Sequence, residues 1–165
     1  MAQPKYQIAT IGSHSALQIF KGAHDEGFKT IAVCKKGYET PYKMFNSADE
    51  IITINSYKDF PKIQNELIEK NAIVIPHGSF VTYMGYENVE KLKVLYYGNK
   101  KILKWESDRY LERQWLVNSG FKVPVLFKSP KDIDRLVIVK FMGAEGGRGY
   151  FLAKDEKDFN KKIKP

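Results

Sequence analysis

Four short runs dominated by apolar and β-branched residues, at 6–11, 30–34, 50–54 and 72–75, are separated by segments long enough for a helix or a loop. A strand with one wet face alternates apolar and polar residues; these runs are continuous, so both faces of each strand must be covered. Such strands, interleaved with helical segments, predict a parallel sheet sandwiched between helices, an α/β fold. Residues 15–26 carry Leu17, Phe20 and Ala23 on related turns and stop at Gly27, the pattern of a helix. Residues 60–70 predict another, with Pro61 near its start. Residues 35–45, holding Gly37 and Pro41, read as a loop.

Parallel sheets of this kind bind ligands beyond the carboxyl ends of their strands. Two of those ends carry polar segments here, Gly12-Ser13-His14-Ser15 and His77-Gly78-Ser79. They are expected on the same edge of one sheet, where they would frame a pocket. His14 and His77 each suit either a ligand contact or a solvated position at a helix start. Ser13, Ser15 and Ser79 are candidate hydroxyl donors to a phosphate, and none stands in the GxSxG setting of a hydrolase nucleophile. His24 reads as a surface histidine beside Asp25. The three histidines lack HExxH spacing, which argues against a zinc site.

Residues 80–92 read as helical, 95–103 as a hairpin-like segment or link around Gly98-Asn99, and 109–118 as an amphipathic helix capped by Ser107 or Asp108. The last third changes character. A strand at 136–141 leads into Gly143-Ala144-Glu145-Gly146-Gly147-Arg148-Gly149, then a strand at 150–153 and a helix from Asp155. Glycines let successive backbone amides approach an anion closely. Arg148 adds a fork of donors matched to phosphate oxygens, and Lys140, on the entering strand, adds a point charge. The segment is neither a GxxxxGK[ST] phosphate loop nor a dinucleotide fingerprint. Its competing reading is an ordinary hairpin tip.

The formal charge of +8 favours anionic partners without choosing among nucleic acid, a membrane surface and a phosphorylated metabolite. The basic residues are scattered, so an ordinary solvated surface competes with any polyanion patch. Tyr38, Tyr42 and Phe45 interleave with Lys35, Lys36 and Lys43. That array suits stacking on single-stranded nucleic acid or packing on its own domain, and without an accompanying recognition module nucleic acid is not the expected partner. Cys34 is the one cysteine; it excludes an intramolecular disulfide and, following Ile31-Ala32-Val33, is predicted to be a buried structural thiol. No apolar stretch approaches the ~20 residues that span a membrane, and residues 1–12 lack a signal peptide's apolar core. A cytoplasmic protein is expected.

Taken together, TIGSHSALQI, HGSFV, WESDR with LERQWL, and IVKFMGAEGGRGYF resemble the archaeal formate-dependent synthetase family that formylates 5-aminoimidazole-4-carboxamide ribonucleotide, within the ATP-grasp superfamily. The resemblance runs through nearly the whole chain in the expected order. It implies a Rossmann-like, pre-ATP-grasp substrate domain over residues 1–100 and the start of an incomplete ATP-grasp lobe over 101–165. It also implies a ligase of purine biosynthesis. ATP phosphorylates formate, the ribonucleotide's amine attacks the formyl carbon, and phosphate leaves, with Mg²⁺ or Mn²⁺ required. By the same resemblance His14 and Ser79 would hold the ribonucleotide, with Ser13 and Ser15 as neighbours. Lys140, Gly143, Glu145, Gly146, Gly147, Arg148 and Gly149 would handle the phosphates of ATP. Family members are longer, and the metal's acidic ligands are expected in the part not represented. The chain is therefore expected to be the N-terminal half, inactive alone, of a protein that is a homo-oligomer when intact. Two alternatives stay open: a phosphometabolite-binding module without catalysis, and an ATP-grasp ligase for another carboxylate and amine.

Overall fold

The computed structural model describes residues 5–145 and 148–163; the side chains of 142–148 lie outside the description. The chain divides into two compact units, Met1–Asp108 and Arg109–Pro165.

The first unit is built on five strands: β1 Gln7–Ile11, β2 Lys29–Lys35, β3 Glu50–Ile54, β4 Ala72–Val74 and β5 Leu95–Tyr96. They hydrogen-bond in the order β3-β2-β1-β4-β5, every pair parallel. This is the arrangement the continuous apolar runs predict. On β2 the pleat sends Ala32 and Cys34 to one face and Ile31 and Val33 to the other. Helices α1 Ala16–Asp25 and α2 Thr40–Met44 cover the first face with Phe20 and Tyr42. The second face is covered by Phe60 from a 3-10 helix at Tyr57–Ile63, Leu67 from α3 Gln64–Glu69, Phe80 and Met84 from α4 Ser79–Met84, and Val89 from α5 Tyr86–Glu90. Phe20, Phe60, Phe80, Leu67 and Val89 are all at most 1% exposed, so both cores are complete in themselves.

Local chemistry explains the departures from the sequence reading. Residues 35–45 are not a plain loop: Pro41 sits in the first turn of α2, where its missing N–H costs nothing, and burial of Tyr42 holds the turn. The predicted helix at 60–70 starts earlier, as the 3-10 turn, because Ser56 and Asp59 form a reciprocal capping box. The predicted helix at 80–92 is cut in two by Gly85, whose φ of +79° cannot continue a helix. Residues 95–103 form no hairpin; Leu95–Tyr96 adds a parallel edge to β4, and α6 Ile102–Ser107 follows. Ser107 ends that helix, with Asp108 as its C-cap residue.

The second unit has α7 Arg109–Asn118, an antiparallel pair β6 Val137–Glu145 and β7 Arg148–Ala153, and α8 Glu156–Lys162. Asp155 caps α8 by accepting from the Asp158 N–H. The strands run further into the glycine-rich segment than the sequence suggests, with Glu145 opposite Arg148.

Candidate functional site

The strand order makes β1 the turning point of the first unit: the chain winds from β1 to β2 and β3 on one side, then to β4 and β5 on the other. The crevice at the carboxyl ends of β1 and β4 is thus the topological switch point, where open α/β sheets bind ligands. The two polar tips predicted for a shared edge stand there side by side.

His77 ties them together. Its Nδ1 accepts from the Ser79 N–H at 3.2 Å, which leaves the ring proton on Nε2. Nε2 donates to the Ile11 carbonyl at 3.0 Å and lies 3.1 Å from Ser13 Oγ. Burial, and secondarily the nearby His14, hold the His77 pKa below its ordinary value, outweighing the Ile11 hydrogen bond, so the neutral tautomer persists near neutral pH. His77 is therefore a latch between the two tips, a role the sequence left open. Ser13 also caps its own turn, accepting from the Ser15 N–H at 3.2 Å. Ser15 is the N-cap residue of α1 but makes no side-chain cap bond. His14 is exposed, and Ser79 opens α4 half-buried. The structure thus brings Ser13, His14, Ser15 and Ser79 to one edge, with His77 as the bridge.

Beneath the tip lies an aromatic floor, of which the sequence singled out only Tyr42, whose reading as packing on its own domain holds. Tyr42 Oη donates to the Ser13 carbonyl at 3.0 Å, and Tyr57 Oη to the Gly12 carbonyl at 2.7 Å. Tyr57 stacks on Tyr83 with ring centres 4.8 Å apart. A Cβ on Gly12 would lie 3.0 Å from both Cys34 Sγ and the Tyr42 ring, so only glycine lets β1 turn this close to α2. Tyr57 lies just past β3, and the rule that drew attention to the ends of β1 and β4 applies to it equally. Cys34 is buried in the floor, its pKa pushed up to about 12 by burial and then by Glu39. It is the inert structural thiol that the sequence predicts.

His24, read as a lone surface residue, instead joins a tertiary cluster. Its Nε2 lies 3.0 Å from Asp49 Oδ2 and 3.1 Å from Thr30 Oγ1. The Thr30 N–H donates to the same carboxylate at 2.7 Å. Burial pushes Asp49 upward, and the bonds from His24 and Thr30 more than offset it, leaving the carboxyl below the usual range. The cluster ties α1 to the starts of β2 and β3, away from the carboxyl edge.

In the second unit Lys140 lies on β6 opposite Tyr150, and Ile138 opposite Leu152. These four share one face of the hairpin, with Ile138 60% and Tyr150 56% exposed. The other face turns Val137, Val139, Phe151 and Ala153 toward α8, whose Phe159 ring lies 5.7 Å from Phe151. Gly149 begins the exposed part of β7. Gly146 and Gly147 lie outside the described residues, as do the side chains of Glu145 and Arg148 and the exposure of Gly143. Among the described residues no group of three or more His, Cys, Asp or Glu stands where it could hold a metal ion. None of their helices is long and apolar enough to cross a membrane.

A family model described as "Protein of unknown function (DUF1246)" matches residues 8–127, which takes in both tips and all of the parallel sheet except Gln7 at its start. The chain belongs to this family. It is 51% identical over 158 residues to the 5-formaminoimidazole-4-carboxamide-1-(beta)-D-ribofuranosyl 5'-monophosphate synthetase of Methanopyrus kandleri. To the protein of the same name from Methanobrevibacter smithii it is 52% identical over 159 residues. In both cases 94% of this chain is covered but 44% of the relative, so the chain spans less than half the length of the curated relatives it matches. Among solved structures it is similar to an IMP biosynthesis protein PurP from Thermococcus kodakaraensis, with a TM-score of 0.66 and 31% identity over 88% of this chain and 48% of that one. N5-carboxyaminoimidazole synthetase from Staphylococcus aureus, complexed with ADP, shares the fold with a TM-score of 0.75 at 22% identity, covering 98% of this chain and 44% of that one. The chain therefore shares its α/β fold with a part of each of these two proteins.

Proposed function

We propose that this chain is the N-terminal half of an ATP- and formate-dependent ligase that formylates 5-aminoimidazole-4-carboxamide ribonucleotide in purine biosynthesis. What carries the reading is the cluster of Ser13, His77 and Ser79, with His14 exposed beside it, at the switch point of a chain about half identical to synthetases of that product. Residues 1–100 would form the substrate domain and residues 101–165 the start of the ATP-grasp lobe.

His14 and Ser79 would hold the ribonucleotide, and Ser13 and Ser15 would line the same edge. The neutral His77 keeps the two tips in register, so the ligand meets preformed rather than mobile groups. In the second unit Lys140, on the same strand face as the exposed Ile138, Leu152 and Tyr150, suits a ligand that pairs an anionic group with a flat apolar one, as ATP does. Gly143, Glu145, Gly146, Gly147, Arg148 and Gly149 would close over its phosphates. ATP activates formate as an acyl phosphate. Attack by the ribonucleotide amine then forms the C–N bond as the C–O bond to phosphate breaks, and the amine releases a proton. This chain's share is to bind and orient, since proximity and alignment supply much of such a rate. The divalent metal would be held by residues outside this chain. The intact enzyme would act in the cytoplasm as a homo-oligomer.

Calorimetric titration of the ribonucleotide into the chain tests this directly. The reading expects saturable binding, weakened at least about tenfold by His14→Ala, the scale of a lost hydrogen bond to a charged group. A folded chain that takes up no ribonucleotide at millimolar concentration refutes it. The tip cluster by itself equally supports a coarser second reading, a phosphometabolite-binding module. On that reading binding persists, and no formylation appears when the C-terminal half of a synthetase is supplied.

A further inference from the structure

Two tyrosine hydroxyls do something the packing of their rings does not require. Tyr42 and Tyr57 come from different elements, α2 and the 3-10 turn, yet both donate to consecutive carbonyls of the β1 tip, Ser13 at 3.0 Å and Gly12 at 2.7 Å. A trans peptide points its N–H opposite its carbonyl, and among the described residues no peptide is cis. Tying down the Gly12 carbonyl therefore turns the Ser13 N–H away from the tyrosines, and tying down the Ser13 carbonyl does the same for the His14 N–H. Neither amide has a hydrogen-bond partner among the described residues. The side chain of His14 leaves the backbone from this same pinned unit.

We infer that Tyr42 and Tyr57 are positioning residues for the ribonucleotide, their hydroxyls fixing the β1 tip so that the Ser13 and His14 amides and the His14 ring face the ligand. This rests on the proposal that the tip binds the ribonucleotide. The rings are held independently of the hydroxyls: Tyr42 packs edge-on against Phe20 at 5.8 Å, and Tyr57 lies flat on Tyr83 at 4.8 Å. Replacing either tyrosine by phenylalanine thus keeps the packing and removes its hold on the carbonyl; the Ser13 carbonyl keeps the bond from the Ala16 N–H at 3.1 Å, which makes Tyr57→Phe the cleaner probe. Burial keeps both phenols protonated as donors, the Tyr42 pKa reaching about 12. Tyr96 supplies a contrast, because its buried hydroxyl has no partner among the described residues and touches neither tip carbonyl.

The test titrates 5-aminoimidazole-4-carboxamide ribonucleotide into the 165-residue chain and into Tyr42→Phe, Tyr57→Phe and Tyr96→Phe, following heat and backbone amide NMR shifts, with a melting curve for each variant. The inference expects Tyr42→Phe and Tyr57→Phe to weaken binding about five- to tenfold each, the scale of one lost hydrogen bond, with Tm close to wild type and Tyr96→Phe binding normally. It also expects the Ser13 and His14 amides to shift on ligand addition in the wild type and to shift less at saturation in the two tip variants. Should Tyr42→Phe lose stability, Tyr57→Phe still decides, because its ring stack is retained. Wild-type binding with unchanged affinity in Tyr57→Phe overturns the inference alone. Absence of wild-type binding overturns the ribonucleotide reading beneath it, and the two failures are told apart by the wild-type curve.

Discussion

The first unit buries its large apolar side chains on both faces of its sheet; the second leaves most of its own in water. Phe20, Phe60 and Phe80 are at most 1% exposed, whereas Trp115, Phe121, Val125 and Leu126 are 45%, 64%, 71% and 61% exposed. Helix α7 buries no residue, and Ala153 is the one fully buried apolar residue of the second unit among those described. The contrast separates two kinds of site. The tip residues of the first unit, which we propose meet the ribonucleotide, are mounted on a packed scaffold and stand preorganised. Lys140 and its neighbours sit on a thin hairpin with one uncovered face, whose order depends on contacts it does not make for itself.

The largest test of this contrast is a pair of truncations. Phe60→Ala empties a fully enclosed site, and urea denaturation should show about 3–5 kcal/mol lost. Trp115→Ala removes a bigger ring from a half-exposed site on α7 and should cost under about 0.5 kcal/mol. Equal losses would erase the distinction between the units. Next comes Gly12→Ala, which drives a methyl against Cys34 and Tyr42 and should cost about 1–3 kcal/mol by the same measurement.

A smaller effect follows from His77. Its folded pKa lies below the ordinary 6.5, so the unfolded chain binds more protons in that window. The stability its neutral ring contributes is intact above about pH 6.5 and fades as pH falls below it, because a protonated Nδ1 can no longer accept from Ser79. Melting temperatures between pH 7.5 and 5.5 (a range set around that value) should decline more steeply in wild type than in His77→Gln. Parallel curves would remove the latch. Smallest of all, Cys34 should not react with an exposed-thiol reagent at pH 8 until denaturant is added; rapid labelling of the folded chain would contradict its burial.

The parallel sheet was legible because β1, β2 and β4 are largely buried on both faces and read as apolar-rich runs without alternation, although β3 at the sheet edge leaves Thr53 exposed. Helix α2 was not, since Pro41 and Gly37 look like loop punctuation until Tyr42 is seen packed under β1. Strand β5 has only two residues, too few for any period to register. The tips were found from the rule that ligands bind at strand ends, but the latch was hidden: His77 meets Ile11 across 66 positions of sequence, and no local pattern announces such a pairing. The tyrosine hydroxyls were hidden for the same reason. The likeness to the curated synthetases was legible through motifs spread along the chain, each weak alone and specific in combination.

Hydrogen–deuterium exchange of the chain with and without saturating 5-aminoimidazole-4-carboxamide ribonucleotide reads the central claim most directly. The account predicts slowed exchange in the peptides carrying residues 12–16 and 77–81, with the remote cluster of His24, Thr30 and Asp49 unchanged. Slowing confined to other segments, with both tips exchanging as in the free chain, would contradict it.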